Sequence, residues 1–465
     1  MRSARALRGP DIRKETRRMT TRSAVSPAQG ANPFLGPDGV DREIIQRCIH
    51  CGFCTTSCPT FAVLGNEMDS PRGRIYLMRL VVDGEMEVTG EVIQHLDRCL
   101  DCRACETACP SGVSYGKLIE TARAGLEKVR GRPLGERALR RILFRWLLPN
   151  RPLLVLAAAI TRLYQKTMLG SIVRGLGLIP ARLARLEPMM PEAPEVSAMM
   201  PLPPEVPAAG EEKYRVAFFG GCLQSALFGE VNRAAVRTLA VNGVRVVFPR
   251  EQTCCGALQA HAGDRETARI LARRNLDAID AAEYDAIVLA VSGCGAMLHD
   301  YADLLADDPA YAGRARRFSE KAVDVTVFLS RIGVRKAPHP EPRRVAYHHP
   351  CHLYHALKVR EEPLDVLRAM ENIEIAPLRE SDWCCGSAGS YNLTQTDISM
   401  KLLDRKMDHV RDAGAPVLCT GNPGCQIQIG FGARERGMDL RVVHPLILLD
   451  EAYRAEGIYE GAALP

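Results

Sequence analysis

The sequence predicts an α+β multidomain protein: a small N-terminal domain built on two cysteine runs, a helical insert, and two α/β units that are copies of one fold. Three observations predict it. Cysteine runs of identical spacing occur at residues 48–58 and 99–109. From residue 213 onwards, short apolar strand-like segments alternate with helical ones, the signature of α/β layers. Within that stretch a pattern of strand, cysteine and glycine returns at an offset of 129 residues. At 465 residues, 46% apolar and 25% charged, the chain can bury several cores, which excludes disordered, collagen-like and coiled-coil classes.

Residues 1–40 read as a mobile N-terminal tail. Residues 1–22 carry eight Arg/Lys against Asp11 and Glu15, and the first 33 lack the apolar stretch of a secretory signal. Their Arg/Ser/Thr content has some transit-peptide character, which Pro10 and the acids weaken; Met19 is an alternative start.

Residues 41–115 hold the runs Cys48-x2-Cys51-x2-Cys54-x3-Cys58-Pro59 and Cys99-x2-Cys102-x2-Cys105-x3-Cys109-Pro110. This is the bacterial two-cluster ferredoxin run, in which three close thiolates wrap one [4Fe–4S] cube and the fourth reaches the other. The expected ligands are Cys48, Cys51, Cys54 and Cys109 for cluster one, and Cys58, Cys99, Cys102 and Cys105 for cluster two. Zinc, the alternative for CxxC pairs, needs only four ligands, fewer than the run written twice supplies. His50 reads as a shielding or surface residue. In Asp69-Ser-Pro-Arg-Gly-Arg74, Ser70 and Pro71 start a helix; Arg72 and Arg74 face an acidic partner, a cluster or solvent.

Residues 116–186 read as a basic helical insert, with helices over 117–129, 134–148 and 153–169 broken at Pro149, Pro152 and Pro180. Residues 137–185 hold ten Arg/Lys and no acid, so the insert suits an acidic subunit face, anionic lipid, or an ordinary basic surface. Its longest apolar run, 152–160, is too short to span a bilayer. No recognition motif accompanies the charge, and aromatics are only 5% of the chain, so no nucleic-acid partner is expected. Residues 187–211, with seven prolines, read as a semi-extended linker.

The duplicated units are assigned to 212–335 and 340–460. Their cysteines follow Cys222-x31-Cys254-Cys255-x38-Cys294 and Cys351-x32-Cys384-Cys385-x39-Cys425, with Gly256 and Gly386 after the pairs. Adjacent cysteines rarely bond to each other, and a Cys-Cys-Gly turn presents two thiolates to a metal. Four ligands suffice for one further iron–sulfur cluster or one zinc per unit; buried apolar cysteines are the alternative. His348, His349, His352 and His355 surround Cys351, and one of them is a candidate proton donor or extra ligand. Cys419 reads as a small core residue on a strand.

The Cys-Cys-Gly units resemble the cysteine-rich domains of heterodisulfide reductase and related oxidoreductases, although Val291 and Asn422 stand where that family closes with CxxC. Over 41–460 the chain resembles the iron–sulfur subunits of glycolate oxidase, in the stretches Cys48-Ile-His-Cys-Gly-Phe-Cys54, Asp69-Ser-Pro-Arg-Gly-Arg-Ile75, Cys109-Pro-Ser-Gly-Val113 and Cys384-Cys-Gly-Ser-Ala-Gly389. That resemblance implies an electron-transfer subunit of an acceptor-dependent oxidoreductase. FAD-binding partner subunits would oxidise glycolate to glyoxylate, with no flavin in this chain, and a quinone or other membrane acceptor would take the electrons. Rival readings are a lactate or anaerobic glycerol-3-phosphate dehydrogenase subunit, and a thiol–disulfide reductase working at the Cys-Cys-Gly sites. The expected location is cytoplasmic, or peripheral on the inner face of the plasma membrane.

Overall fold

The computed structural model describes residues 32–167 and 187–465, apart from Pro37, Pro342 and Ala463. Residues 1–31 of the expected tail and the end of the insert, with Pro180, lie outside the described residues.

In the N-terminal domain each cysteine loop leads into a one-turn helix, Phe53–Thr56 or Ala104–Thr107. The two loops share a backbone shape. His50 and Asp101 have φ of 55° and 53°, and Gly52 and Arg103 have φ of 87° and 58°. Such left-handed residues fold three cysteines around a small volume within seven residues. Helix α1 (Pro71–Val82) starts as expected, with the Ser70 hydroxyl accepting from the Gly73 amide and Pro71 in the first turn. Helices α2 (Gly90–Asp97) and α3 (Tyr115–Val129) close a core that includes Met78, Leu96, Leu118, Ile119 and Leu126. Phe34, within the segment expected to be a mobile tail, is fully buried in that core, and Val40 joins it. A lone aromatic anchor has no periodicity, so the sequence pattern carries no sign of it.

The insert forms α4 (Leu134–Arg141), which continues into a π-helical turn over Ile142–Leu147, and α5 (Arg151–Lys166), capped by Asn150. The two arms are bent by 110°. Among the described residues no single helix is long and apolar enough to cross a membrane.

The first cysteine-rich unit has strands β1 (Glu205–Val206), β2 (Tyr214–Phe219), β3 (Val244–Val247), β4 (Ala286–Leu289) and β5 (Ala322–Asp324), in the order β1-β3-β2-β4-β5. Its main helices are α6 (Gly229–Val241), α7 (Arg265–Ala278), α8 (Ser292–Leu304) and α9 (Val325–Ile332). The second unit has β6 (Arg343–Tyr347), β7 (Ile373–Ala376), β8 (Val417–Cys419) and β9 (Arg441–Val443), in the order β7-β6-β8-β9. Helices α10 (Glu362–Arg368), α11 (Thr396–Ala413), α12 (Pro423–Glu435) and α13 (Pro445–Ala455) accompany it. All neighbouring strands are parallel except β1, an antiparallel edge strand donated by the proline-rich segment. Stripped of β1, the two sheets have one topology, which is the duplication made visible.

The units meet through equivalent elements. Helix α6 packs on α13 and α10 packs on α9, the same contact seen from either repeat. One apolar core therefore runs through both units, joining Val216 and Phe218 to Val345, Val417, Leu449 and Tyr453. Beside it, Arg237 grips Asp450 with Nε–Oδ1 and Nη2–Oδ2 distances of 2.7 and 2.8 Å. The proline-rich segment also contributes buried apolar groups: Met189 to the second unit, Leu202 and Val206 to the shared core.

Candidate metal centres

Two cavities sit side by side in the N-terminal domain. The first is lined by Cys48, Cys51, Cys54 and Cys109, with Cys105 in its wall. The second is lined by Cys58, Cys99, Cys102 and Cys105. Each run thus sends its fourth cysteine to the other run's cavity. Four thiols around each space match the donor set of a [4Fe–4S] cube.

Burial pushes the Cys54 thiol up to about 11, and pushes Cys102 and Cys105 well above the ordinary thiol value. Such groups are protonated at neutral pH, so ligation releases protons and the positive charge of bound iron holds the thiolates. The walls supply donors. The Asp101 amide and the Tyr115 hydroxyl point at Cys99 Sγ, at 3.3 and 3.7 Å.

Arg72 and Arg74 resolve towards the cavities. Arg72 lines the first, donating to the His50 carbonyl at 3.2 Å and pairing with Glu67. Arg74 lines the second, is 1% exposed, and donates to Thr60 Oγ1 at 3.1 Å and to the His95 carbonyl at 2.7 Å. The fully buried Asp69 pairs with it at 3.6 Å, so the charge beside that cavity is that of an ion pair rather than of a lone cation. Of the groups that hold Arg74, Thr60 lies outside any motif, whereas His95 opens the stretch His95-Leu-Asp-Arg-Cys-Leu-Asp-Cys102. His50 is exposed at the rim of the first cavity.

The Cys-Cys-Gly cysteines form two tetrads at the carboxyl ends of the parallel strands, where such sheets bind ligands. In the first, Cys222 and Cys254 are 3.5 Å apart and Cys255 and Cys294 are 3.2 Å apart, sulfur to sulfur. In the second, Cys384 is hydrogen-bonded to Cys351, and Cys385 to Cys425, all four as free thiols. Both turns need their glycine. Gly256 and Gly386 have φ of 91° and 90°, and a Cβ at Gly386 would lie 2.6 Å from the Ser399 carbonyl oxygen. Hydrogen bonds from Cys222 and Cys255 hold Cys254 well below the ordinary thiol value, and those with Cys384 and Cys425 do the same for Cys385.

The repeats differ in their donors. His348 lies with a ring nitrogen within 4.8 Å of the sulfurs of Cys385 and Cys425, all three residues buried, whereas Phe219 fills the matching place in the first repeat. The other histidines turn elsewhere: His349 to Ser381, His352 to the Asp101 carbonyl at 3.0 Å, His355 to Thr107 Oγ1 at 2.9 Å. Asn422, standing where the resembling family has a cysteine, donates to Cys425 Sγ at 3.5 Å. Cys419 is fully buried on β8, away from both tetrads, where burial pushes its thiol up.

Sequence reasoning missed the junction that sets these sites against one another. Leu100 and Cys102 share an apolar cluster with Cys384, Tyr391 and Leu402, with Cys351 at its edge, so the second tetrad abuts the second cavity. Alongside, His261 Nδ1 lies 3.0 Å from both Asp101 and Glu120, and Arg103 bridges Glu120 and Asp300 at 3.5 and 2.6 Å. Burial opposes the charge on His261, but hydrogen bonds to the two carboxylates overcome it and hold the imidazole up at about 10. The carboxylates are thus met by an imidazolium and a guanidinium, an ion-pair lock between domains rather than a vacant metal site. His261 sits in no motif, and its partners are 141 or more residues away.

Comparison with known proteins follows this anatomy. A family model described as a 4Fe-4S dicluster domain matches residues 44–113, and one described as a cysteine-rich domain matches 216–299 and 345–430. A third, the linker region of the glycolate oxidase iron-sulfur subunit, matches 135–190. The chain is 38% identical over 442 residues to a probable glycolate oxidase iron-sulfur subunit of Bacillus subtilis, covering 93% of this chain and 99% of that one. It is 38% identical over 396 residues to the glycolate oxidase iron-sulfur subunit of Escherichia coli, covering 84% and 91%. A lactate utilization protein A of Halalkalibacterium halodurans is 30% identical over 241 residues, 52% of this chain and 98% of that protein. With two ferredoxin-type cavities, two cysteine tetrads and this likeness along almost its whole length, the chain is an iron–sulfur electron-transfer subunit of an oxidoreductase and belongs to the glycolate oxidase iron–sulfur subunit family.

Proposed function

We propose that this chain relays electrons from FAD-binding partner subunits that oxidise glycolate to glyoxylate, and delivers them to a quinone or another membrane acceptor from the cytoplasmic side. The observation that carries the reading is the sequence of thiol sites: an outer cavity, an inner cavity sharing Cys105 with it, and a tetrad packed against Cys102. The outer rim bears Ile49 and Phe53, 68% and 63% exposed, an apolar edge suited to a partner subunit. Glycolate oxidation releases two electrons and two protons. A flavin on the partner would take both electrons, and clusters held at these thiols would supply one-electron redox chemistry. Cys48, Cys51, Cys54 and Cys109 hold the first cluster, and Cys58, Cys99, Cys102 and Cys105 the second. Arg74 and Tyr115 set the polarity around the inner one.

The test is the complex assembled with Cys102→Ser. Glycolate should still bleach the partner's flavin, while quinone reduction falls to background. Quinone reduction at the parental rate would overturn the relay. The likeness to lactate utilization protein A over half of the chain favours lactate as the second reading. Flavin bleaching by lactate but not by glycolate would select it.

A further inference from the structure

The insert has two faces of different character. Inward, Phe144, Leu148 and Leu154 are buried against the short helix that carries Cys222, where Leu223, Ala226 and Leu227 meet them. Outward, α4 and its π turn present Leu139, Ile142 and Trp146, 56%, 57% and 66% exposed, and α5 presents Leu156, Ile160 and Leu163, 56%, 59% and 57% exposed. The spacings of three, four and seven residues put each trio on one stripe of its helix. Of the sixteen large apolar side chains exposed among the described residues, eight lie between Leu134 and Leu163, so the patch is a concentration rather than scatter.

Charge identifies the occupant. Residues 134–166 hold seven cations and one acid, and Arg137 and Arg141 are exposed beside the stripe on α4. We propose that the outward face of α4 and α5 lies on an anionic lipid surface, with Trp146 and the leucine and isoleucine stripes in the headgroup–acyl boundary and the arginines on lipid phosphates. Apolar area and cationic charge on adjoining faces is the combination that holds a helix in the plane of a membrane. The 110° bend and the shortness of both arms suit an insert that lies on the bilayer instead of crossing it. A protein partner would have to offer an apolar groove rimmed by acids. The surface stands on geometry and deepens the proposed delivery to a membrane acceptor; because its test involves no turnover, the two ideas fail separately.

The experiment is co-sedimentation of the iron-loaded full chain with vesicles of phosphatidylcholine, with and without phosphatidylglycerol. Binding should require phosphatidylglycerol, weaken as salt rises, and shift Trp146 fluorescence to the blue. Trp146→Glu combined with Leu156→Glu should weaken binding about tenfold or more, with iron content and visible absorption unchanged. Arg137→Glu with Arg141→Glu should lower the salt dependence. If the double glutamate variant loses iron, Trp146→Ser, which alters only an exposed side chain, carries the same expectation. No binding to anionic vesicles, or binding unaffected by the Trp146 substitutions, overturns the proposal. Loss of flavin-subunit association in these variants with vesicle binding intact would assign the face to a protein instead.

Discussion

His348 and Phe219 occupy the same place in the two repeats, and among the described residues the difference gives the second tetrad alone an imidazole beside its sulfurs. Thiolates with an imidazole select iron or zinc over hard cations. Replacing His348 by Phe should leave the iron of the ferredoxin pair intact and make the second tetrad lose metal to a chelator about tenfold more readily. Metal analysis and low-temperature EPR read both at once. An unchanged spectrum and unchanged retention would remove His348 as a ligand. A chain that binds about eight irons and no other metal would remove both tetrads as metal sites. Four histidines around Cys351 were legible in the sequence as a cluster. Which of them faces the sulfurs was not, because ring direction depends on the π-helical turn over His352–Ala356 and on the domain it meets.

At the scale of elements, the cysteine loops and the start of α1 were legible because their geometry is settled within a few residues. The junction of β5 and α9 shows a local rule at odds with its surroundings. Asp324 caps α9, its Oδ1 accepting from the amide and hydroxyl of Thr326 at 2.8 and 2.6 Å, yet it is 4% exposed and its Oδ2 has no partner among the described residues. Burial raises its carboxyl from 3.8 to about 6. Well below pH 3.8 the acid is neutral in both folded and unfolded chains. Between about pH 4 and 6 the unfolded chain ionises while the folded one still holds its proton, so the native state loses stability across that window and no more above it. Asp324→Asn keeps the cap and removes the charge. The variant should therefore be more stable at pH 8 by up to about 3 kcal/mol, with the advantage shrinking towards pH 5. Thermal or denaturant unfolding at the two pH values measures it, and an advantage independent of pH would contradict the assignment.

Over the whole molecule, the repeats are joined by one shared core and by the buried pair of Arg237 with Asp450, whose side chains are 6% and 7% exposed. Burial works against ionised Asp450, and Arg237, with help from Arg454 and Tyr459, keeps its carboxyl below the usual range. Arg237→Met leaves that carboxylate without its bidentate partner and should cost about 3 kcal/mol. Arg237→Met with Asp450→Leu should recover most of the loss. Denaturation midpoints of the three proteins decide this, and additive losses in the double variant would show that the pair contributes little. The loops carrying the closing cysteines also touch across this interface, the Ser292 amide donating to the Gly421 carbonyl at 3.1 Å. Loosening it should therefore lower metal retention at both tetrads together.

The sequence by itself determined the duplication and the two ferredoxin runs, and it sorted sixteen of the seventeen cysteines into four groups of four. Ligand loops are short, and a repeat preserves its spacing whatever it packs against. Only the tertiary structure decided that the second tetrad abuts the inner cavity, that His261 and Arg103 lock three acids at that junction, and that Phe34 anchors part of the expected tail. It also decided which half of the basic insert is buried and which faces outward. Those outcomes depend on contacts between residues far apart in the chain, and such contacts follow from packing rather than from any local pattern of residue types.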